Sequence, residues 1–160
     1  MKKVLFIGFF LFFILSCGGD DSEENDNEND DLDNYSGSEV IHFKDTNMEK
    51  CVRNKAHKLE GELTVEDVKD IESLDCLRMK IKVIDGVEKL PNVDYISFYE
   101  NDIVDFSVLR DMSELKRLNI YGNKNVNPDT LSELNNIEEL SVCNCGLTSL
   151  NFLKTLTGIT

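Results

Sequence analysis

The side chains of this chain that could do chemistry are few. They are five cysteines, two histidines, four tyrosines and 31 carboxylates among 160 residues. A structural zinc site needs four Cys or His ligands, usually in closely spaced pairs. Cys143 and Cys145 are two apart, but His42 and His57 are distant in sequence, so no ligand set forms. A disulfide between Cys143 and Cys145 would be strained. Nucleophilic catalysis needs a Ser or Cys motif with a placed base, and phosphate binding needs a Gly-rich loop; neither occurs. The carboxylates follow the spacing of exposed positions and read as a solvated face. The chain therefore reads as a non-enzyme with no metal and no cofactor. What remains is Tyr and Arg, the residue types enriched where proteins bind partners.

Charge divides the chain in two. The formal net charge is −14, from 17 Lys+Arg and 31 Asp+Glu. Residues 18–39 carry ten acids and no base, so residues 40–160 keep 31 − 10 = 21 acids against 17 − 2 = 15 bases, a net of −6. An acidic chain is a poor partner for nucleic acid, which needs basic patches. The acidic run cannot bury enough apolar surface to fold, and it repels itself into an extended spacer. Asp26, Glu28 and Asp30 alternate as in a calcium loop, but the Gly and distal Glu of such a loop do not follow in register.

Ahead of the spacer, Lys2 and Lys3 precede a twelve-residue apolar run at 4–15. That run is shorter than the roughly 20 residues of a spanning helix and has the proportions of a secretory signal. It closes on Ile14-Leu15-Ser16-Cys17. This resembles the lipobox of bacterial lipoproteins, with an aliphatic residue at −3 and a small one at −1. The resemblance implies a signal peptide at 1–16 and a lipidated Cys17. Two or more acyl chains anchor stably where one does not. The expected partner at this end is a membrane, on the periplasmic or cell-surface side of a bacterial envelope. Residues 17–41 then form a tether reaching at most roughly 80 Å. Gly18-Gly19-Asp20-Asp21 resembles the acidic surface-export signal of one group of diderm bacteria.

The rest of the chain repeats every 22 residues. Val93, Leu115 and Ile137 share a column, as do Ile96, Leu118 and Leu140, then Phe98, Ile120 and Val142. Asn101 and Asn123 align with Cys145; further on, Leu109, Leu131 and Leu153 align, then Met112, Leu134 and Leu156. One step back, Ile71, Leu74, Cys76, Ile81, Ile84, Val87 and Leu90 fall in the same columns. The pattern L-x-x-L-x-L-x-x-N/C-x-L within 20–29 residues is the leucine-rich repeat signature, about four units over 71–160. Its L-x-L alternation points two side chains inward from a short strand. The Asn or Cys satisfies backbone groups of adjacent turns. Two positions depart: Met79 holds the Asn column of the first unit, which predicts an irregular turn there. Asn125 sits where Ile103 and Leu147 lie, with Val126 slipping in. The chain stops just as another strand column opens at Ile159, which reads as a truncated or degenerate last unit.

Residues 106–123, FSVLRDMSELKRLNIYGN, resemble the internalin-type 22-residue repeat, and residues 42–70 resemble the helical cap that precedes such repeats. In the cap, Thr46 and Glu49 read as a capping box opening a helix with Met48, Cys51, Val52, Ala56 and Leu59 as its apolar stripe, ended by Gly61. Thr64 and Asp67 open a second helix, with Val65, Val68 and Ile71 facing the core. The resemblance implies an α/β fold: a leucine-rich repeat solenoid with short parallel strands on its concave face and a small helical N-terminal cap. Because such a cap packs on the first repeat and an exported protein permits disulfides, Cys51 and Cys76 are either a bridge or two small core residues.

Outward positions of the strands form three columns: Ser73, Tyr95, Arg117, Glu139; Asp75, Ser97, Asn119, Ser141; and Leu77, Tyr99, Tyr121, Cys143. Adjacent strands lie about 4.8 Å apart, which makes Tyr99 and Tyr121 neighbours. Tyr95, Tyr99, Arg117, Asn119 and Tyr121 are the candidate binding residues, for an unknown protein, peptide or glycan. The alternative is a structural repeat fragment without a specific ligand, its exposed tyrosines reflecting β propensity alone.

Overall fold

Leu74, Ile96, Leu118 and Leu140 occupy the middle of four three-residue strands: β1 (Ser73–Asp75), β2 (Tyr95–Ser97), β3 (Arg117–Asn119) and β4 (Glu139–Ser141). The computed structural model describes residues 39–159. The strands form one parallel sheet in the order β1-β2-β3-β4, each residue paired with the one 22 positions on. This is the α/β repeat solenoid expected from the sequence. The inward columns build a single core in which Leu74, Cys76, Ile81, Ile96, Phe98, Ile103, Phe106, Leu115, Leu118 and Ile120 are all at most 2% exposed.

On the opposite wall, 3₁₀ turns at Val87–Lys89, Ser107–Asp111, Pro128–Leu131 and Asn151–Lys154 close each unit. Val87, Leu109 and Leu131 plug the wall from the expected column. In the last unit Phe152 takes that role, and Leu153, the aligned residue, is 36% exposed. Val126 is buried and Asn125 exposed, so the one-residue slip expected there occurs.

Each unit leaves the sheet through a left-handed residue. Arg78 (φ 55°), Glu100 (φ 51°), Gly122 (φ 79°) and Asn144 (φ 57°) stand 22 apart. Only Gly takes this conformation without steric cost, yet three of the four are larger residues. Units one and four add a second left-handed residue two positions later, Lys80 (φ 60°) and Gly146 (φ 70°). Those are the two units whose ladder position holds Met79 or Cys145 instead of Asn. A Cβ on Gly146 would collide with the Lys124 carbonyl, so Gly is required at that site.

The cap consists of α1 (Thr46–Ala56) and a single helical turn, α2 (Val65–Val68). Three details differ from expectation. Asp45, not Thr46, caps α1: its Oδ1 accepts from the Asn47 and Met48 N–H groups at 2.8 and 3.4 Å. Glu49 instead accepts from Arg53 Nε at 2.8 Å, one turn along the helix. The helix ends at His57 in left-handed geometry, before Gly61, which leaves Leu59 69% exposed and off the stripe. Ile41, grouped by composition with the spacer, is buried, and Val40 bridges Thr64. The cap thus begins at 39–41 rather than at 42. The Thr64–Asp67 capping box of α2 is present.

Asp45 also joins cap to repeats, since its Oδ2 accepts from the Lys82 and Val83 N–H groups at 2.8 and 3.3 Å. Burial alone would raise its pKa, but four backbone N–H donors outweigh that and hold it below the usual carboxylate value. Asp67 bonds Lys58 Nζ and the Thr64 hydroxyl and N–H, and its pKa falls to about 2. Depressed carboxylates stabilise the fold above their unfolded pKa and lose that contribution as pH drops through the folded value. The melting temperature should therefore fall between about pH 4 and pH 2. Asp67→Asn should blunt that fall in circular-dichroism melts. An acid response identical in the variant would remove Asp67 from this role.

Candidate binding face

The outward side chains of β1–β4 and of the residues just after them form a continuous surface. Parallel pairing at constant register stacks like positions in rows across the sheet. Tyr99 and Tyr121 stack with ring centroids 4.8 Å apart and planes 7° from parallel. Arg78 lies over Tyr99, its guanidinium 5.4 Å from the ring centroid, and Arg117 covers Tyr95 at 5.1 Å. Both guanidinium groups are drawn to the negative face of the ring beneath them.

Each arginine is held by a carboxylate of an adjacent unit. Arg78 Nε donates to Glu100 Oε2 at 2.6 Å, and Arg117 donates through one terminal nitrogen to Asp94 Oδ1 at 2.9 Å. These contacts raise both guanidinium pKa values, and Arg78 holds Glu100 below the usual carboxylate value. The Glu100 carboxylate, with burial, pushes the Tyr99 hydroxyl up. Exposed pairs like these add little to stability. Their effect is to fix four side chains in one arrangement before any ligand arrives.

Two of the outward strand positions, the candidate Asn119 and Ser97, behave differently from the rest. Asn119 Oδ1 accepts from the Tyr121 N–H at 3.0 Å, so this side chain orients the backbone under Tyr121 rather than reaching outward. Ser97, expected on the surface, is 2% exposed; flanked in its own strand row by Tyr95 and Tyr99, a small side chain is covered. Arg78 was absent from the candidate set. The signal for it was an opposite charge 22 positions on, Glu100, since residues one period apart sit on adjacent turns. Tyr95, Arg117, Asn119, Glu139 and Leu140 line a shallow depression of about 290 Å³ between β2 and β4.

The remaining chemistry-bearing residues are accounted for. Cys51 and Cys76 form a disulfide with Cα atoms 5.7 Å apart, tying α1 to the residue after β1. Cys143 and Cys145 are free; Cys143 is exposed, and burial raises the Cys145 thiol pKa. Among the described residues no three His, Cys, Asp or Glu side chains group as a metal site. Cys17, the candidate lipidation site, lies outside the described residues.

The chain matches no protein-family profile and no curated protein. Among solved structures it is similar to an internalin (inlF) of Listeria monocytogenes, with a TM-score of 0.66 and 28% identity. That likeness covers 73% of this chain and 35% of the other. It is also similar to internalin C2 (inlC2) of the same species, with a TM-score of 0.68 and 22% identity over 74% of this chain and 53% of that one. The chain thus spans from about a third to about half of those proteins. Its helix-capped parallel sheet of 22-residue turns is an internalin-like leucine-rich repeat fold.

Proposed function

We propose that the chain is a membrane-anchored, extracytoplasmic binding module that engages a partner through its concave face. The observation that carries the reading is the Tyr99–Tyr121 stack, held by Arg78 and Glu100 just after the two inner strands. Rigid aromatic anchors lose little conformational entropy on binding, and hot spots cluster at such centres. Four three-residue strands present fewer side chains than the roughly 20–30 residues per partner of a standard interface. A short peptide, a glycan or a weakly held protein suits that size.

Binding is tested by capturing partners from envelope or host extracts with wild-type chain and with Tyr99→Ala/Tyr121→Ala. The expected result is loss of the captured species at unchanged melting temperature, because both rings lie outside the core. Equal capture would sink the concave-face assignment. Anchoring rests on the sequence of residues 1–17 alone, and Cys17→Ala should move the protein from the membrane fraction to the soluble fraction. Retention of lipid label by that variant would contradict it.

A further inference from the structure

We infer that the concave face takes an extended, cationic polypeptide segment rather than a glycan. The inference rests on the concave-face reading above and specifies its ligand. Sugar rings bind proteins by laying a C–H face on an open aromatic face. Here Tyr99 has no open face: Arg78, from the unit before, covers one side and Tyr121, from the unit after, covers the other. Tyr95 carries Arg117 on its ring. The stack thus presents Tyr99 edge-on, flanked in the same row by Leu77, which is 49% exposed. Edges and an aliphatic side chain suit the apolar side chains and carbonyls of a peptide.

Charge selects among peptides. The two arginines of the face are already neutralised, Arg78 by Glu100 and Arg117 by Asp94. Asp75 on β1 and Glu139 on β4 are exposed and make no ion pair among the described residues. Lys55 of α1 stands at the β1 edge, donating to Ser73 Oγ over 3.3 Å. The face therefore carries more acids than bases, with Asp75 and Glu139 on the two edge strands, both outside the Tyr99–Tyr121 row, and Glu139 in register beside Arg117, which already pairs with Asp94. Three strand spacings of about 4.8 Å and a two-residue offset of about 3.3 Å each separate Asp75 and Glu139 by roughly 16 Å. An extended segment covers that distance in about five residues. The face thus fits a segment that crosses the strands, with Lys or Arg four to five positions apart and an apolar side chain between them.

The test is panning of a display library of random twelve-residue peptides on the full chain, with a glycan array in parallel. Recovered peptides should carry paired Lys or Arg at that spacing. Asp75→Asn/Glu139→Gln should weaken them about tenfold in Kd, and raised salt should weaken them too. Tyr99→Ala/Tyr121→Ala should also abolish their binding. If recovered peptides lack basic pairs, or ignore Asp75 and Glu139 while still needing the tyrosines, the cationic-segment inference falls and the concave-face reading stands. A tyrosine-dependent glycan has the same consequence. Peptides that ignore the tyrosines as well as the acids overturn both, and a library that yields no binder overturns the inference.

Discussion

Replacing Cys51 and Cys76 together with serine should destabilise the protein by about 3–4 kcal/mol, read as a lower denaturant midpoint for the oxidised wild type's counterpart. The bridge closes a loop with a sequence separation of 25 residues, and loop-closure entropy in the unfolded chain gives that magnitude. The effect should be polarised. The disulfide joins the cap to the first unit, so its loss should release α1 before the strands β2–β4. Hydrogen exchange should then show faster opening of residues 46–56 in the double variant, with the amides of β3 less changed. Uniform acceleration across all strands would mean that the cap is not a separable layer. A chain equally stable with and without the bridge would mean that its unfolded state is already compact.

A second large effect should come from the amide ladder. Asn101 Oδ1 accepts from the Met79 and Ile81 N–H groups, both at 3.0 Å, while its Nδ2 donates to the Cys76 and Phe98 carbonyls at 2.6 and 3.0 Å. Asn123 accepts from the Ile103 N–H at 3.0 Å and donates to the Phe98 and Ile120 carbonyls at 2.9 and 2.8 Å. Cys145 donates only a thiol, to Ile120 O at 3.1 Å. Removing Asn101 orphans two backbone donors, and each orphaned buried group costs about 1–3 kcal/mol. Asn101→Ala should therefore lose about 3–5 kcal/mol, Asn123→Ala somewhat less, and Cys145→Ala the least. Denaturant titration of the three variants checks the order. If Cys145→Ala proved as damaging as Asn101→Ala, volume rather than hydrogen bonding would hold the ladder.

The ladder also shows why the solenoid was legible in the sequence. Apolar columns at a fixed period, with Asn at a fixed offset, leave one packing in which each unit buries its face on the next. Leu74, Ile96, Leu118 and Leu140 found their strands for that reason. Local alternatives were less legible. Asp45 and Thr46 are both good N-caps, and the choice fell to Asp45 because its second oxygen also bonds Lys82 and Val83, 37 and 38 residues away. Leu59 looked helical by spacing, yet the left-handed His57 had already ended the helix. In the last unit Phe152 is buried and the aligned Leu153 is not, a one-residue change that column alignment does not show.

The site was half legible. The period placed Tyr99 beside Tyr121 and Tyr95 beside Arg117, since parallel register turns a 22-residue separation into a neighbour. It did not place Arg78, because a side chain just outside the strand reaches the ring only through the left-handed turn at that residue. Nor did it show Ser97 covered or Asn119 turned back onto the Tyr121 amide, since both depend on the size of flanking side chains.

The concave face as the binding face is tested most directly by photocrosslinking on intact cells. Benzoylphenylalanine would be placed at position 121, in the aromatic row, or at position 110, on the opposite wall where Arg110 is exposed and paired with Glu133. Both proteins should fold alike, as checked by their melting curves. A discrete light-dependent adduct should form from position 121 and none from position 110. An adduct from position 110 with none from position 121 would contradict the concave-face assignment.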